Sequence, residues 1–175
     1  MVSFVNKVAG FAVASLLVAG SHTSLSNGAR ARDRCRPIHG TTSSLFTTQN
    51  CTSATGLCTS GTITGAGPLD GAYFFTALDV APSAGLPASE PAGNISFSGQ
   101  VDLTTKKGTL VARDLGVLDA QNGYFTEVDR PISGTGSFAN PSHDFFISGI
   151  VNPAGNGFIG ELSGTICSDR DSDDE

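Results

Sequence analysis

The chain of 175 residues lacks Trp, and its one Met is the first residue. Tyr occurs twice, Lys three times and Glu four times, and Asp, Glu, Lys and Arg together make only 15% of the residues. An average soluble domain carries roughly 25% charge. Scarce Lys and Glu beside abundant Gly, Ser and Thr disfavour helices, which argues against a helical bundle, a coiled coil and a doubly wound α/β fold. Basic residues are too few for a nucleic-acid-binding face, and the net charge is -6. No nucleophile elbow, phosphate loop, zinc-protease helix or spaced Ser/His/Asp pattern occurs, so hydrolase and nucleotide chemistry are not supported. No C-x₂-C pair occurs, and neither His22, His39 nor His143 stands at ligand spacing from a Cys pair, so no metal site and no cofactor is expected. Gly and Pro make 30 of 175 residues, below the roughly 25–30% of a disordered low-complexity chain. Length allows one compact domain.

The one long apolar run lies at the start. Lys7 precedes an apolar stretch from Val8 to Ala19, with small residues at Val18 and Gly20. A short positive region, an apolar core of about 7–15 residues and a small-residue site are the pattern of a secretory signal. A membrane anchor is the alternative, but the apolar core is shorter than the roughly 20 residues of a span. Residues 1–20 are therefore read as a signal peptide and the mature chain as secreted, with no membrane span. Residues 21–36 read as a flexible leader with Arg30, Arg32, Arg34 and Arg36 at alternate positions, and residues 169–175 as an acidic tail. The domain proper is expected over 37–168.

Four Cys stand at 35, 51, 58 and 167. An even number behind a signal peptide implies disulfides, and four allow three pairings. The 51-to-58 spacing fits a staple across a turn, which leaves Cys35 with Cys167. Asn50-Cys51-Thr52 and Asn94-Ile95-Ser96 are N-glycosylation sequons, relevant only in a eukaryote.

Between these ends the chain shows eight runs of strand character: 38–49, 57–65, 71–80, 94–103, 109–118, 124–133, 144–151 and 158–167. The fourth alternates most cleanly, with Ile95, Phe97, Gly99, Val101 and Leu103 on one face. Phe145, Ile147, Gly149 and Val151 share a face of the seventh run, and Phe158, Gly160, Leu162, Gly164 and Ile166 a face of the eighth. The links are hairpin-length turns such as Lys106-Lys107-Gly108 and Asn122-Gly123, except for the Pro-rich 81–93. An open eight-stranded sheet would need a second layer, and no helix is there to supply one. Closure removes the edges. The sequence therefore predicts an all-β, closed, eight-stranded antiparallel up-and-down barrel. First and last strands would then be neighbours, an independent reason for the 35–167 bridge.

The segment Gly134-Thr135-Gly136-Ser137-Phe138-Ala139, followed by Gly149, the glycines of 155–164 and the closing Gly164-Thr165-Ile166-Cys167, resembles the allene oxide cyclase and dirigent-like barrel superfamily, especially its small exported members. The resemblance spans most of residues 45–167 and rests on Gly and Phe spacing. It implies the barrel fold and, since relatives are often oligomers, a homo-oligomer. It carries over no catalytic residue.

A barrel of eight strands either encloses one small ligand or is filled by its own side chains. The apolar faces mark Phe97, Val101, Phe145, Ile147, Phe158 and Leu162 as ligand-binding candidates for a small hydrophobic molecule. Asp79, Arg113, Asp114, Glu127, Asp129, Arg130 and Glu161 lie in or beside strands. Adjacent strand residues face opposite sides, so one of Arg113 and Asp114, and one of Asp129 and Arg130, should point inward. A three-residue Lys-Lys-Gly turn would bring Arg113 to the Val101 face, a two-residue turn Asp114. An inward acid beside an inward Arg would be a general acid/base or anion-orienting pair; rim exposure or a structural ion pair is the plainer expectation. Tyr73 and Tyr124 are candidate phenol donors. Three functions follow as expectations: a secreted binding barrel, a cofactor-free cyclase or isomerase of allene oxide cyclase or dirigent type, and a secreted structural protein with a filled barrel.

Overall fold

The computed structural model describes residues 34–83 and 93–168. The segment 1–20 read as a signal, most of the stretch read as an Arg leader, the tail 169–175 and most of the Pro-rich loop lie outside the described residues. Eight strands form one closed barrel in sequence order. They are β1 (Arg34–Phe46), β2 (Cys58–Thr64), β3 (Gly71–Pro82), β4 (Asn94–Thr105), β5 (Gly108–Asp119), β6 (Tyr124–Gly134), β7 (Phe145–Val151) and β8 (Gly157–Ser168). All neighbours are antiparallel, and β1 against β8 closes the ring. β1 begins at Arg34, inside the stretch read as leader, because Cys35 stands opposite Cys167 in that closing pair. Among the described residues the only helical pieces are two short 3₁₀ turns, Gly67–Leu69 and Gly136–Phe138. No helix among them is long and apolar enough to cross a membrane.

Both expected disulfides form. Cys35–Cys167 lies at one end of the barrel, and Cys51–Cys58 ties the β1–β2 loop at the other. Disulfides persist in oxidising, extracytoplasmic compartments.

The Lys106-Lys107 turn settles the β4–β5 register. Thr105 pairs with Gly108, leaving a two-residue turn, so Val101 faces Ala112 and Gly99 faces Asp114. The inner face of β5 is therefore Leu110, Ala112, Asp114, Gly116 and Leu118. Across the next seam Leu118, Gly116 and Asp114 stand opposite Phe125, Glu127 and Asp129, which sets the inner face of β6.

Two bulges bend the wall. One in β3 between Ala77 and Asp79 turns Leu78 and Asp79 outward and Val80 toward the lumen. The other, in β6 opposite Val111 and Ala112, throws Ile132 outward beside Pro131. A closed barrel has no edge strand, and a bulge is where a sheet accommodates Pro.

The end carrying Cys35–Cys167 is plugged. Leu69 and Phe138, delivered by the two 3₁₀ turns, are fully buried with Ile38, Ile63, Leu103 and Ile166. Toward the other end the packing loosens around a lumen.

Candidate functional site: an acid-backed apolar lumen

A cavity of about 150 Å³ lies in the barrel. It runs from Ile63, Leu103 and Leu110 toward a rim formed by Leu57, Val80, Ile95 and Leu118. Its waist is aromatic. Phe75 and Phe97 meet edge to face at 6.3 Å, and Phe125 and Phe158 at 5.1 Å. The Phe97 ring owes its place to Gly116, since a Cβ there would collide with it. Gly99 does the same for the Phe75 ring and for Asp114, whose Oδ1 would lie 2.7 Å from a Cβ on Gly99.

Of the six residues read as ligand-binding from the sequence, Phe97, Val101, Phe145, Ile147 and Phe158 line this cavity. Leu162 faces inward too, fully buried in the core beside it.

Polar groups reach the lumen from β1, β2, β3 and β6, Thr59 of β2 among them. Glu127 is the one charged residue in the cavity wall, and Tyr73, Thr42 and Ser44 line the wall with it. The Thr42 hydroxyl donates to the Tyr73 phenol oxygen at 2.9 Å. Ser44 is buried beside them, and its Oγ has no well-formed hydrogen bond among the described residues.

Behind Glu127 stand two more acids. Asp114 and Asp129 face each other directly across the β5–β6 seam and are 4% and 0% exposed. Their carboxyl oxygens likewise lack a well-formed hydrogen bond. Burial of a carboxylate without a cation or donors is costly, and such a group keeps its proton instead. Burial raises Asp114 to about 7, while the neighbouring Glu127 carboxyl and the Gly99 backbone draw it partly back. Burial, then the charges of Asp129 and Asp114 and contact with the Asp114 carboxyl, pushes Glu127 well above the ordinary value. Burial and the Asp114 charge do the same to Asp129. Burial also raises the Tyr73 phenol.

An inward acid beside an inward Arg does not occur. Arg113 and Arg130 both face outward, one residue from inward Asp114 and Asp129, because strand alternation separates the members of each pair. Arg130 reaches along the surface to Asp144, with Nη2 to Oδ2 at 2.9 Å. The four charged candidates thus divide into two buried acids and two exposed arginines. None of the described Lys or Arg side chains is buried. Glu161 and Asp79 are exposed, as is Tyr124.

His143 lies in the turn before β7 at φ 71°, with a ring nitrogen within 4.8 Å of the Cys35 and Cys167 sulfurs. The fold brings together what the sequence spacing kept apart. Both sulfurs are in the disulfide, however, and offer no thiolate.

What these features define is a closed, disulfide-bonded, eight-stranded antiparallel barrel with an apolar lumen and a buried acid cluster at its wall. No protein-family model, no curated protein and no solved structure matches the chain.

Proposed function

We propose that this is a secreted barrel that holds one small hydrophobic molecule in its lumen. The observation that carries the reading is the cavity of about 150 Å³ walled by Phe75, Phe97, Phe125 and Phe158. An apolar cavity of that order stays dry and accepts a benzene-sized ring. The size therefore favours a ligand of about ten non-hydrogen atoms or fewer. A barrel serving only as a structural body would fill this space with its own side chains. Here the inward side chains leave a cavity unfilled. Export fits the apolar segment at the start of the sequence and the two disulfides. Eight strands in a closed meander also accord with the proposed kinship to the allene oxide cyclase and dirigent-like superfamily.

Glu127 favours a second reading, a cofactor-free cyclase or isomerase. A carboxyl that burial makes hold its proton more tightly, lining a largely apolar cavity, is placed as a general acid. Turnover of a bound compound that Glu127→Gln abolishes while binding persists would favour this enzyme.

Native mass spectrometry of the protein purified from its own source tests the binding reading. The expected spectrum contains a retained species heavier than the chain by one small organic molecule. A bare chain mass, together with no binding of single-ring compounds, would contradict it.

A further inference from the structure

We infer that the lumen ligand carries a positively charged amine that pairs with Glu127, so that the molecule taken is a small arylalkylamine or an amine of similar shape. This rests on the lumen being a ligand site. Four observations carry it.

The first is an imbalance of charge. Asp114, Glu127 and Asp129 all face inward, and no described Lys or Arg side chain is buried to meet them. Asp129 is fully buried with carboxyl oxygens that make no well-formed hydrogen bond, and Asp114, 4% exposed, has the Glu127 carboxyl beside it. For filling a wall, apolar residues of similar volume serve at least as well as buried charged groups. An acid at the cavity wall therefore points to an occupant that pairs with it.

The second is placement. Glu127 is the member of the trio that lines the cavity, while Asp114 and Asp129 stand behind it. A cation in the lumen would meet Glu127 first, with the Asp114 and Asp129 carboxyls behind it.

The third is the rest of the wall. Phe75, Phe97, Phe125 and Phe158 line it, and aromatic rings attract cations as well as apolar groups. The aliphatic remainder demands that the body of the ligand be apolar.

The fourth is geometric. The three carboxylates do not converge as metal ligands do. Among the described residues the only trio with donor atoms within 4.8 Å of one another is Cys35, His143 and Cys167. A bare metal ion is therefore a poor occupant, and an organic ammonium that needs one carboxylate is a good one.

The proton balance makes the inference testable. Tyr73 from β3, Asp114 from β5 and Asp129 from β6 itself are the titratable groups around Glu127; β1 presents Thr42 and Ser44, and β7 presents Ile147. Burial and the neighbouring acids make Glu127 hold its proton more tightly than an ordinary carboxyl does. An ammonium that pairs with it drives that proton into solvent, leaving a carboxylate and an ammonium in contact. Binding then strengthens with rising pH, by up to about tenfold per unit for one released proton. A neutral ligand that accepts a hydrogen bond from the protonated acid would show the reverse.

The experiment compares 2-phenylethylamine with 2-phenylethanol by titration calorimetry, from pH 5.5 to 8, in two buffers of different ionisation enthalpy. The amine is expected to bind about tenfold or more tighter than the alcohol at pH 8 and to release close to one proton. Glu127→Gln is expected to weaken the amine at least about tenfold and the alcohol less than about twofold, the scale of one lost charge-assisted contact. Proton release by the unaltered protein needs no variant, so it stands if Glu127→Gln folds poorly. Equal affinities, or amine binding that weakens as pH rises, would overturn the amine while leaving the lumen a ligand site. Failure of both probes to bind would overturn the lumen reading as well.

Discussion

Replacing Cys35 and Cys167 together by Ser should lower the unfolding free energy by about 5 kcal/mol, whereas replacing Cys51 and Cys58 should cost about half as much. The difference comes from the length of chain each bond closes. Cys35 and Cys167 are 132 residues apart, while Cys51 and Cys58 are separated by 7. In the chain-entropy account a longer loop removes more freedom from the unfolded chain. The long bridge also acts where the fold is most demanding. It joins β1 to β8, whose pairing closes the barrel and brings together the most distant segments of the domain. Unfolding by urea, followed for both double variants, checks the order. An equal loss, or a larger loss for the short loop, would contradict it.

The second large effect is an inverted dependence of stability on pH. Most proteins lose stability in acid because native carboxylates paired with cations must be protonated. Here the acids are raised. A carboxyl whose pKa rises on folding binds its proton more tightly in the native state. Its burial then costs nothing extra below the unfolded value, near pH 4. The penalty grows as pH climbs from there and is complete above the folded value. For Asp114, raised from 3.8 to about 7, that is about 4 kcal/mol lost between pH 4 and 8. Glu127 and Asp129 act in the same direction. Exposed Asp119 and Asp144 are lowered, by Asn122 and by Arg130 respectively, and oppose the trend only weakly because solvent screens them. The melting temperature should therefore peak near pH 4–5 and fall through neutrality. Asp114→Asn should flatten the curve, raising the melting temperature at pH 8 while changing it little at pH 4.5. A wild-type optimum at or above pH 7 would show that these acids are not held neutral.

The strands were legible because each announces itself. Ile95 to Leu103 alternate without a break, and turns such as Asn152-Pro153-Ala154-Gly155 separate neighbours. Closure was legible because eight strands on short turns left no helix to cover an open sheet, and closing the ring sets Cys35 beside Cys167. The inward side of β5 was not, since Lys106-Lys107-Gly108 admits turns of two lengths and a one-residue change exchanges Arg113 for Asp114. Only the Thr105–Gly108 pairing decides it.

Glu127 was read as one charged strand residue among several, yet a signal was present. With Phe125 on the apolar face, period two places Glu127 and Asp129 there as well, though polarity pulls the other way. The outward turn of Asp79 depends on the bulge at Leu78, for which no Gly or Pro gives a local mark. Bringing His143 to the Cys35–Cys167 pair required the tertiary fold, because 24 residues separate His143 from Cys167. Closest packing was equally hidden. A Gly in a strand reads the same whether it clears a turn or, like Gly116, makes room for a ring.

The central claim is that the lumen admits a small apolar ring. A titration of the protein with toluene, followed by the NMR signals of its methyl groups, tests it most directly. Saturable shifts are predicted at Ile63, Val101, Leu110 and Ile147, which line the cavity, and should be lost in Ala112→Leu, which fills it. Shifts that do not saturate, or that appear only at Leu115 and Ile132 on the outer wall, would contradict a ligand-holding lumen.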